Sequence, residues 1–268
     1  MLEKEVFFIA GPNGAGKTTI AKKMLEFKPY NFLNADQIAS KLAENRTDDM
    51  NAYRFEAGKI FLRNTYQLIE SEKNFFIETT LAGKYVERVI INLKEKGYRV
   101  KIIFIFLESP ELASKRVKQR IMKGGHSIPE QDIKRRYYRS KNKFWDHYKN
   151  LADKWFLAYN SGGNFHYIAV GEGEKFFITD EILYRLLFKK MKIENNRVTA
   201  LGSDTYVEGF EILRIGNVAV KEVQKVNIKL GIPNAFSKNT NLFFELPDGT
   251  ISQENPFEEN LNLYREGE

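Results

Sequence analysis

The chain contains no cysteine, and its 268 residues include three scattered histidines. The first absence excludes disulfides and thiolate metal sites, and the second argues against a catalytic zinc. Nowhere is there a run of about eighteen apolar residues, the length that spans a bilayer. "MLEKE" leads straight into a strand-like run, with no hydrophobic region of the signal-peptide kind. A soluble cytoplasmic protein with no membrane partner is therefore expected. Internal repeats and low-complexity tracts are also missing. Hydrophobic residues make up 43% of the chain, which supports a sizeable core.

The net charge of +7 and pI of about 9.2 are unevenly spread. Between Lys115 and Lys149, twelve Lys or Arg stand against three Asp or Glu, so this segment carries +9 and the remainder is slightly acidic. A concentrated positive charge of this kind suits an element that clamps phosphates as well as it suits a nucleic-acid footprint.

What is there begins with "FIAGPNGAGKTT". Gly11, Gly16, Lys17 and Thr18 satisfy G-x-x-x-x-G-K-[ST], directly after the apolar run Val6 to Ala10 and before the amphipathic "TTIAKKMLEF". Such a loop bends so that successive N–H groups meet phosphate oxygens, and the helix behind it adds its positive end. Gly11, Asn13, Gly14, Ala15, Gly16, Lys17, Thr18 and Thr19 are the expected nucleotide contacts. Lys17 reaches the β- and γ-phosphates of ATP or GTP, and Thr18 ligates Mg²⁺.

Strand-like runs at "VFFIA", "NFLNAD", "NFFIETT" and "VKIIFIFLES" alternate with helical patterns near 18–27, 50–72, 84–97 and 110–123. The alternation predicts βαβ units, and the continuous apolar character of each run predicts a sheet covered on both faces. The fold class is α/β, a doubly wound and mainly parallel sheet of the P-loop kinase type. "WFLAYNSGG" and "FHYIAVGEGE" read as further strands, and "TDEILYRLLFKKMK" as a helix opened by a Thr cap. The polar "KIENNRVTALGSDTY" reads as a linker, which divides the chain into a kinase domain, 1–195, and a small αβ module, 196–268. In the module, "GFEILRIGNVAVKEVQKVNIKLG" has helical spacing with a glycine stop, and "LFFELPDGTIS" has an Asp-Gly turn between strand-like pieces.

Ligands of open α/β sheets collect beyond the carboxyl ends of the strands, where "NAD", "ETT" and "ES" place three acids. Asp36 suits a general base that takes the proton of an acceptor hydroxyl, and equally a cap on "DQIASKLAEN". Glu78, with Thr79 beside it, suits a substrate contact or a structural ion pair. Glu108 has a Walker-B-like context but is expected to cap the next helix. The stretch "RVKQRIMKGGHSIPEQDIKRRYYRSKNKFW" reads as a hinged lid, two basic helices around a turn, within a basic region spanning about 115–149. Arg120 on the first helix and Arg136 or Arg139 on the second are candidates to neutralise the moving phosphoryl group. His126 is expected to cap the turn. Tyr137, Tyr138, Phe144 and Trp145 are spaced to bury one helix face, or to stack on single-stranded nucleic acid; the first reading is preferred and a nucleic-acid partner is not expected.

Together, "GPNGAGKTT", "FLNAD", "FFIETTLAG" and "RIMKGGHSIPEQDIKRRYYRS" resemble the zeta toxin family over roughly residues 5 to 160. The resemblance implies a P-loop kinase that phosphorylates a hydroxyl of UDP-N-acetylglucosamine and is paired with an antitoxin. It implies Lys17 on the nucleotide phosphates, Asp36 as base, Glu78 on the sugar, and Arg120 with one arginine of "KRRYYRS" at the transition state. Arg136 is preferred over Arg135 and Arg139 for the second arginine. Two other readings are a polynucleotide 5′-hydroxyl kinase and a nucleotide-gated binding module. The segment 196–268 lies outside the resemblance and is expected either to stabilise the kinase or to inhibit it in cis, with "ENPFEENLNLYREGE" meeting the basic lid.

Overall fold

The computed structural model describes residues 3–43, 50–83, 85–124, 128–188 and 200–257. His126, much of the linker with the boundary near 196, and the last part of the acidic tail lie outside the described residues.

Strand β1 (Glu5–Ala10) is buried along its whole length in the interior of the sheet. It is followed by α1 (Lys17–Phe27), β2 (Asn31–Asn34), α2 (Ala35–Ala43), α3 (Met50–Glu70), β3 (Phe75–Thr79), α4 (Tyr85–Glu95) and β4 (Arg99–Phe106). Next come α5 (Pro110–Ile121), α6 (Glu130–Lys143), a π-helical turn (Phe144–Tyr148), the short α7 (Lys149–Leu151) and β5 (Lys154–Tyr159). The seven-stranded sheet, completed by β6 (His166–Glu172) and β7 (Lys175–Ile178), has the order β2-β3-β1-β4-β5-β6-β7. The first five strands run parallel, and at one edge β6 pairs antiparallel with β5 and β7 pairs antiparallel with β6. The expected strands are all present. β7, from "KFFI", was not foreseen, because a short run behind a turn carries little periodic signal.

Order 2-3-1-4-5 sets the ends of β2 and β3 on one side of the P-loop strand and the ends of β4 and β5 on the other. That reversal of strand order opens a crevice at the carboxyl ends.

Two capping expectations are corrected. Helix α8 (Glu181–Leu187) is opened by Asp180, whose carboxylate accepts from Leu183 N at 2.9 Å, and Thr179 instead donates to Tyr167 O. Ser109, not Glu108, caps α5 by accepting from Leu112 N. In both cases the residue next to the first helical position can reach the N–H groups of the opening turn, and its neighbour cannot.

The C-terminal part holds α9 (Ser203–Lys229) and an antiparallel sheet of β8 (Asn234–Lys238), β9 (Asn241–Glu245) and β10 (Ile251–Ser252). The glycine stop falls at Gly231, with φ of 72°, and the Asp-Gly turn joins β9 to β10. Helix α9 lies against α1 and β6. Gly209 and Gly216 stand seven residues apart on its buried side, where a Cβ on Gly216 would run into the Phe165 ring and one on Gly209 would touch Tyr167. Glycine in a helix interior costs about 1 kcal/mol relative to alanine, so its use here reflects close approach to the strand layer. Polar ties reinforce the contact: Lys23 pairs with Glu222 at 2.7 Å, and Lys101 pairs with both Glu5 and Glu208 at 2.6 Å.

The basic segment is anchored by its aromatics. Phe144 stacks on Phe104 with ring centroids 4.4 Å apart, Trp145 packs edge-on to Trp155, and the Tyr137 hydroxyl donates to Leu107 O at 2.6 Å. Tyr137, Phe144 and Trp145 are buried, and Tyr138 is exposed. Rings used in this way hold α6 on the core and are not a platform for stacked bases.

Candidate active site

The P-loop turns between β1 and α1. Gly11 has φ of 142° and lies so close to β4 that a Cβ would collide with the Ile105 carbonyl oxygen. Gly16 precedes α1 in the left-handed conformation, φ 91°, and makes no side-chain cap bond. The first N–H groups of α1 therefore point along the loop, a ready site for an anion. Asn13 and Ala15 are buried, and the Asn160 amide pins the loop from β5 by donating to Ala15 O at 2.9 Å.

Lys17 is buried and donates to Pro12 O at 2.9 Å. Burial pushes its pKa down; Glu78 and Asp36 oppose that shift, while Arg120 and Arg136 add to it. The two lid arginines proposed from the sequence thus act on the same lysine from two different helices.

Asp36 is the second residue of α2, but it does not cap the helix. Asn34 does, its Oδ1 accepting from Asp36 N at 2.8 Å and Gln37 N at 3.2 Å. Of the two roles the sequence left for Asp36, capping is already filled by its neighbour. The other amide end of Asn34 donates to Glu78 at 2.6 Å. Thr18 Oγ1 donates to the same carboxylate, 3.0 and 2.8 Å from its two oxygens. Burial raises the Glu78 pKa, while Lys17, Thr18 and Asn34 hold it back. Glu78 is paired, then, with a hydroxyl and an amide as hydrogen-bond donors. Thr79 Oγ1 accepts from Leu81 N at 3.0 Å and shapes the turn that follows β3.

Glu108 stands apart from this group. Its carboxylate accepts from the Tyr159 hydroxyl at 2.8 Å and its N–H donates to Ser161 Oγ. In this strand order the acid that reaches the P-loop threonine comes from β3, next to β1, and not from β4.

Two clefts meet at these residues. The first, about 220 Å³, runs from Gly14, Gly16, Thr18 and Thr19 past Arg116, Arg120 and Lys123 to α9 and β8. The second, about 330 Å³, lies between the ends of β2 and β3 and the lid helix, bounded by Thr79, Tyr85, Arg135, Arg136 and Arg139. Lys17, Asp36 and Glu78 line both. All three arginines left open by the sequence face the second cleft. Arg135 is tied to Asp132 at 2.9 Å, and the Arg136 charge is among those that push the Lys17 pKa down.

Arg116 was missed. It lies half-buried one turn before Arg120 on α5, donates to Asn160 O and Ala235 O, and desolvation lowers its pKa to about 10. Its i, i+4 spacing to Arg120 was the available signal, hidden among the other cations of the segment. Asn34 was also passed over, because an asparagine at a strand end reads as an ordinary turn residue.

Comparison with known proteins places the fold and the family. A cytidylate kinase of Archaeoglobus fulgidus is 26% identical over 195 residues, covering 69% of this chain and 97% of its own length. One of Saccharolobus islandicus is 29% identical over 152 residues, covering 52% of this chain and 73% of its own. Among solved structures, the AvrRxo1-ORF1:-ORF2 complex with ATP has a TM-score of 0.58 at 17% identity, covering 82% of this chain and 76% of that one. The PezAT chromosomal toxin-antitoxin system of Streptococcus pneumoniae has a TM-score of 0.51 at 18% identity, covering 84% and 89%. Similarity at that level of identity establishes a shared fold. The zeta toxin family itself matches residues 2–155, more than half of the sequence, and the chain belongs to that family.

Proposed function

We propose that this zeta toxin family member transfers the γ-phosphoryl group of ATP to an alcohol of a small anionic acceptor, most simply a UDP-amino sugar such as UDP-N-acetylglucosamine. The observation that carries the reading is the junction of two clefts at Lys17, Asp36 and Glu78. The P-loop side holds the donor and the side under α6 holds the acceptor. Arg136 and Arg139 at the acceptor cleft suit a molecule that already carries phosphates.

In the transfer, Asp36 takes the proton as the acceptor oxygen bonds to the γ-phosphorus, and the bond from that phosphorus to the β,γ-bridging oxygen breaks to release ADP. Lys17, Arg120 and Arg136 stabilise the charge that spreads over the moving group. Thr18 and Glu78 offer a hydroxyl and a carboxylate side by side, a donor set that fits Mg²⁺. That ion would neutralise phosphate charge; Asn34 and Thr18 orient the carboxylate beside it.

The cytidylate kinases among the relatives favour a second acceptor class, a nucleoside monophosphate, whose phosphate the same arginines would take. An ionised phosphate needs no base, so the Asp36 dependence separates the two. Incubating the protein with ATP, Mg²⁺ and either UDP-N-acetylglucosamine or CMP, with products read by mass spectrometry, tests the reading. A phosphorylated sugar nucleotide is expected. Phosphorylation of CMP alone overturns the alcohol acceptor, and no transfer to either overturns the proposal.

A separate antitoxin is the proposed regulatory partner. Inhibition in cis by residues 196–268 is the alternative: it requires that removing the segment raise activity, whereas the role argued below requires a loss. No helix among the described residues is long and apolar enough to cross a membrane.

A further inference from the structure

The donor cleft has two chemically different halves. Toward the P-loop it offers backbone N–H groups, Lys17, Arg120 and Lys123, and it is suited to phosphates. Toward the C-terminal segment the side chains contributed by α9 and β8 are neutral, Val220, Val223, Gln224 and Asn227 with Asn234 and Ala235, and the guanidinium of Arg116 is taken up by the Asn160 and Ala235 carbonyls. A nucleotide has the same division, a charged tail and an uncharged planar base.

A chain of hydrogen bonds fixes what the neutral half presents. The Glu245 carboxylate can only accept, and it takes a bond from Asn234 Nδ2 at 3.0 Å. Asn234 Oδ1 must then face Asn227, whose Nδ2 donates to it at 2.6 Å. This leaves Asn227 Oδ1 buried with no partner among the described residues. Asn160 arrives at the same state independently. Its Nδ2 donates to Ala15 O, an obligate acceptor, and its own Oδ1 is likewise buried and unpartnered. Both residues line the cleft and are less than a tenth exposed. Buried polar groups are rarely left unmatched, and two unmatched acceptors along one cleft, Asn160 beside the P-loop and Asn227 in the half toward α9, call for a ligand that brings N–H donors.

We propose that α9 and β8 form the base-recognition wall of the nucleotide cleft, with Asn227 Oδ1 accepting a hydrogen bond from the exocyclic amino group of the bound nucleobase. The inference rests on the reading of this cleft as the nucleotide site. Val220 and Val223 supply the apolar surface against which the base lies, and Glu245, at a distance, sets the direction of the recognising amide. The segment beyond residue 196 thus belongs to the site.

The test uses the full chain and three probes: ATP, purine riboside 5′-triphosphate, which lacks the amino group, and inorganic tripolyphosphate. Dissociation constants by calorimetry are expected to favour ATP over the purine riboside analogue by about 5- to 10-fold, the size of one buried hydrogen bond. Asn227→Leu should bring ATP to the level of the analogue while leaving tripolyphosphate binding unchanged. Equal affinity of the unmodified protein for ATP and the analogue overturns the proposal without any variant having to fold. A preference that survives Asn227→Leu in a folded variant overturns the role of Asn227. Failure of the unmodified protein to bind either ATP or tripolyphosphate would overturn the nucleotide reading itself, an outcome distinct from equal binding of the two nucleotides.

Discussion

The two clefts share three residues and differ in almost everything else. The acceptor cleft is built from elements close to the P-loop in the sheet, β2 and β3, and is closed by the cations of α6. The donor cleft begins at the P-loop and ends on α9 and β8, more than two hundred residues later in the chain, with amides and aliphatic groups. One is organised to hold charge; the other passes from charge to neutrality along its length. Binding energy and catalytic charge stabilisation are therefore expected to respond differently to substitution in the two.

The largest effect should come from the shared residues. Lys17→Ala removes the charge at the junction and should lower kcat by at least ~10³-fold, read as ADP release coupled to acceptor phosphorylation. Asp36→Asn keeps the shape of the junction but not the base. It should lower kcat by roughly 10²-fold or more with ATP affinity within about 2-fold of the original, because general base catalysis contributes on that scale. If Asp36→Asn retained full transfer to an alcohol, the division into donor and acceptor sides would lose its meeting point.

An intermediate effect should separate the clefts. Arg136→Ala is expected to cost on the order of 10-fold or more in kcat/KM for the acceptor while leaving ATP affinity nearly unchanged, since its charge is met mainly in the transition state. Arg135→Ala should change either constant by less than about 2-fold, because its exposed guanidinium is engaged by Asp132. Equal losses for the two arginines, or a loss in ATP affinity at Arg136, would show that the lid serves as a general basic patch.

The same contrast explains what could be read from the sequence. β1 to β4 and their helices are long, continuous or periodic apolar runs, and the P-loop is a local pattern, so the charged junction was legible down to Asp36 and Glu78. Asn34 could not be read, since its two roles, capping α2 and gripping Glu78, exist only once β2 and β3 are paired. The neutral wall was illegible for a related reason. Asn227, Asn234 and Glu245 are ordinary polar residues whose chemistry depends on a relay of hydrogen bonds between α9, β8 and β9. β8 is preceded by a turn and followed by Asn239 and Thr240, both at positive φ, a hairpin without the glycine that would have announced it.

The least direct effect on either cleft concerns how α9 is held over the donor cleft. Burial pushes the Glu5 carboxyl up, but hydrogen bonds from Lys101, Lys28 and Tyr30 outweigh it and hold the pKa at about 2. Lys101 passes this charge on to Glu208 of α9 at 2.6 Å. A carboxyl depressed in the folded state binds its proton more readily once unfolded, so its contribution is fully present above the ordinary value near 4.5. That contribution is lost as pH falls from there through about 2. Glu5→Gln should accordingly lower stability by ~2 kcal/mol at pH 7, and the gap from the unmodified protein should narrow on acidification. Chemical denaturation at pH 7, 5 and 3 measures it. Because the network braces the donor side, Glu5→Gln should weaken ATP affinity by up to about 3-fold while leaving the acceptor KM unchanged, as an indirect effect on the wall would do. A stability gap that stayed constant with pH would place the effect in packing and not in the charge of Glu5. An equal change at both clefts would mean that α9 and the acceptor side move as one unit.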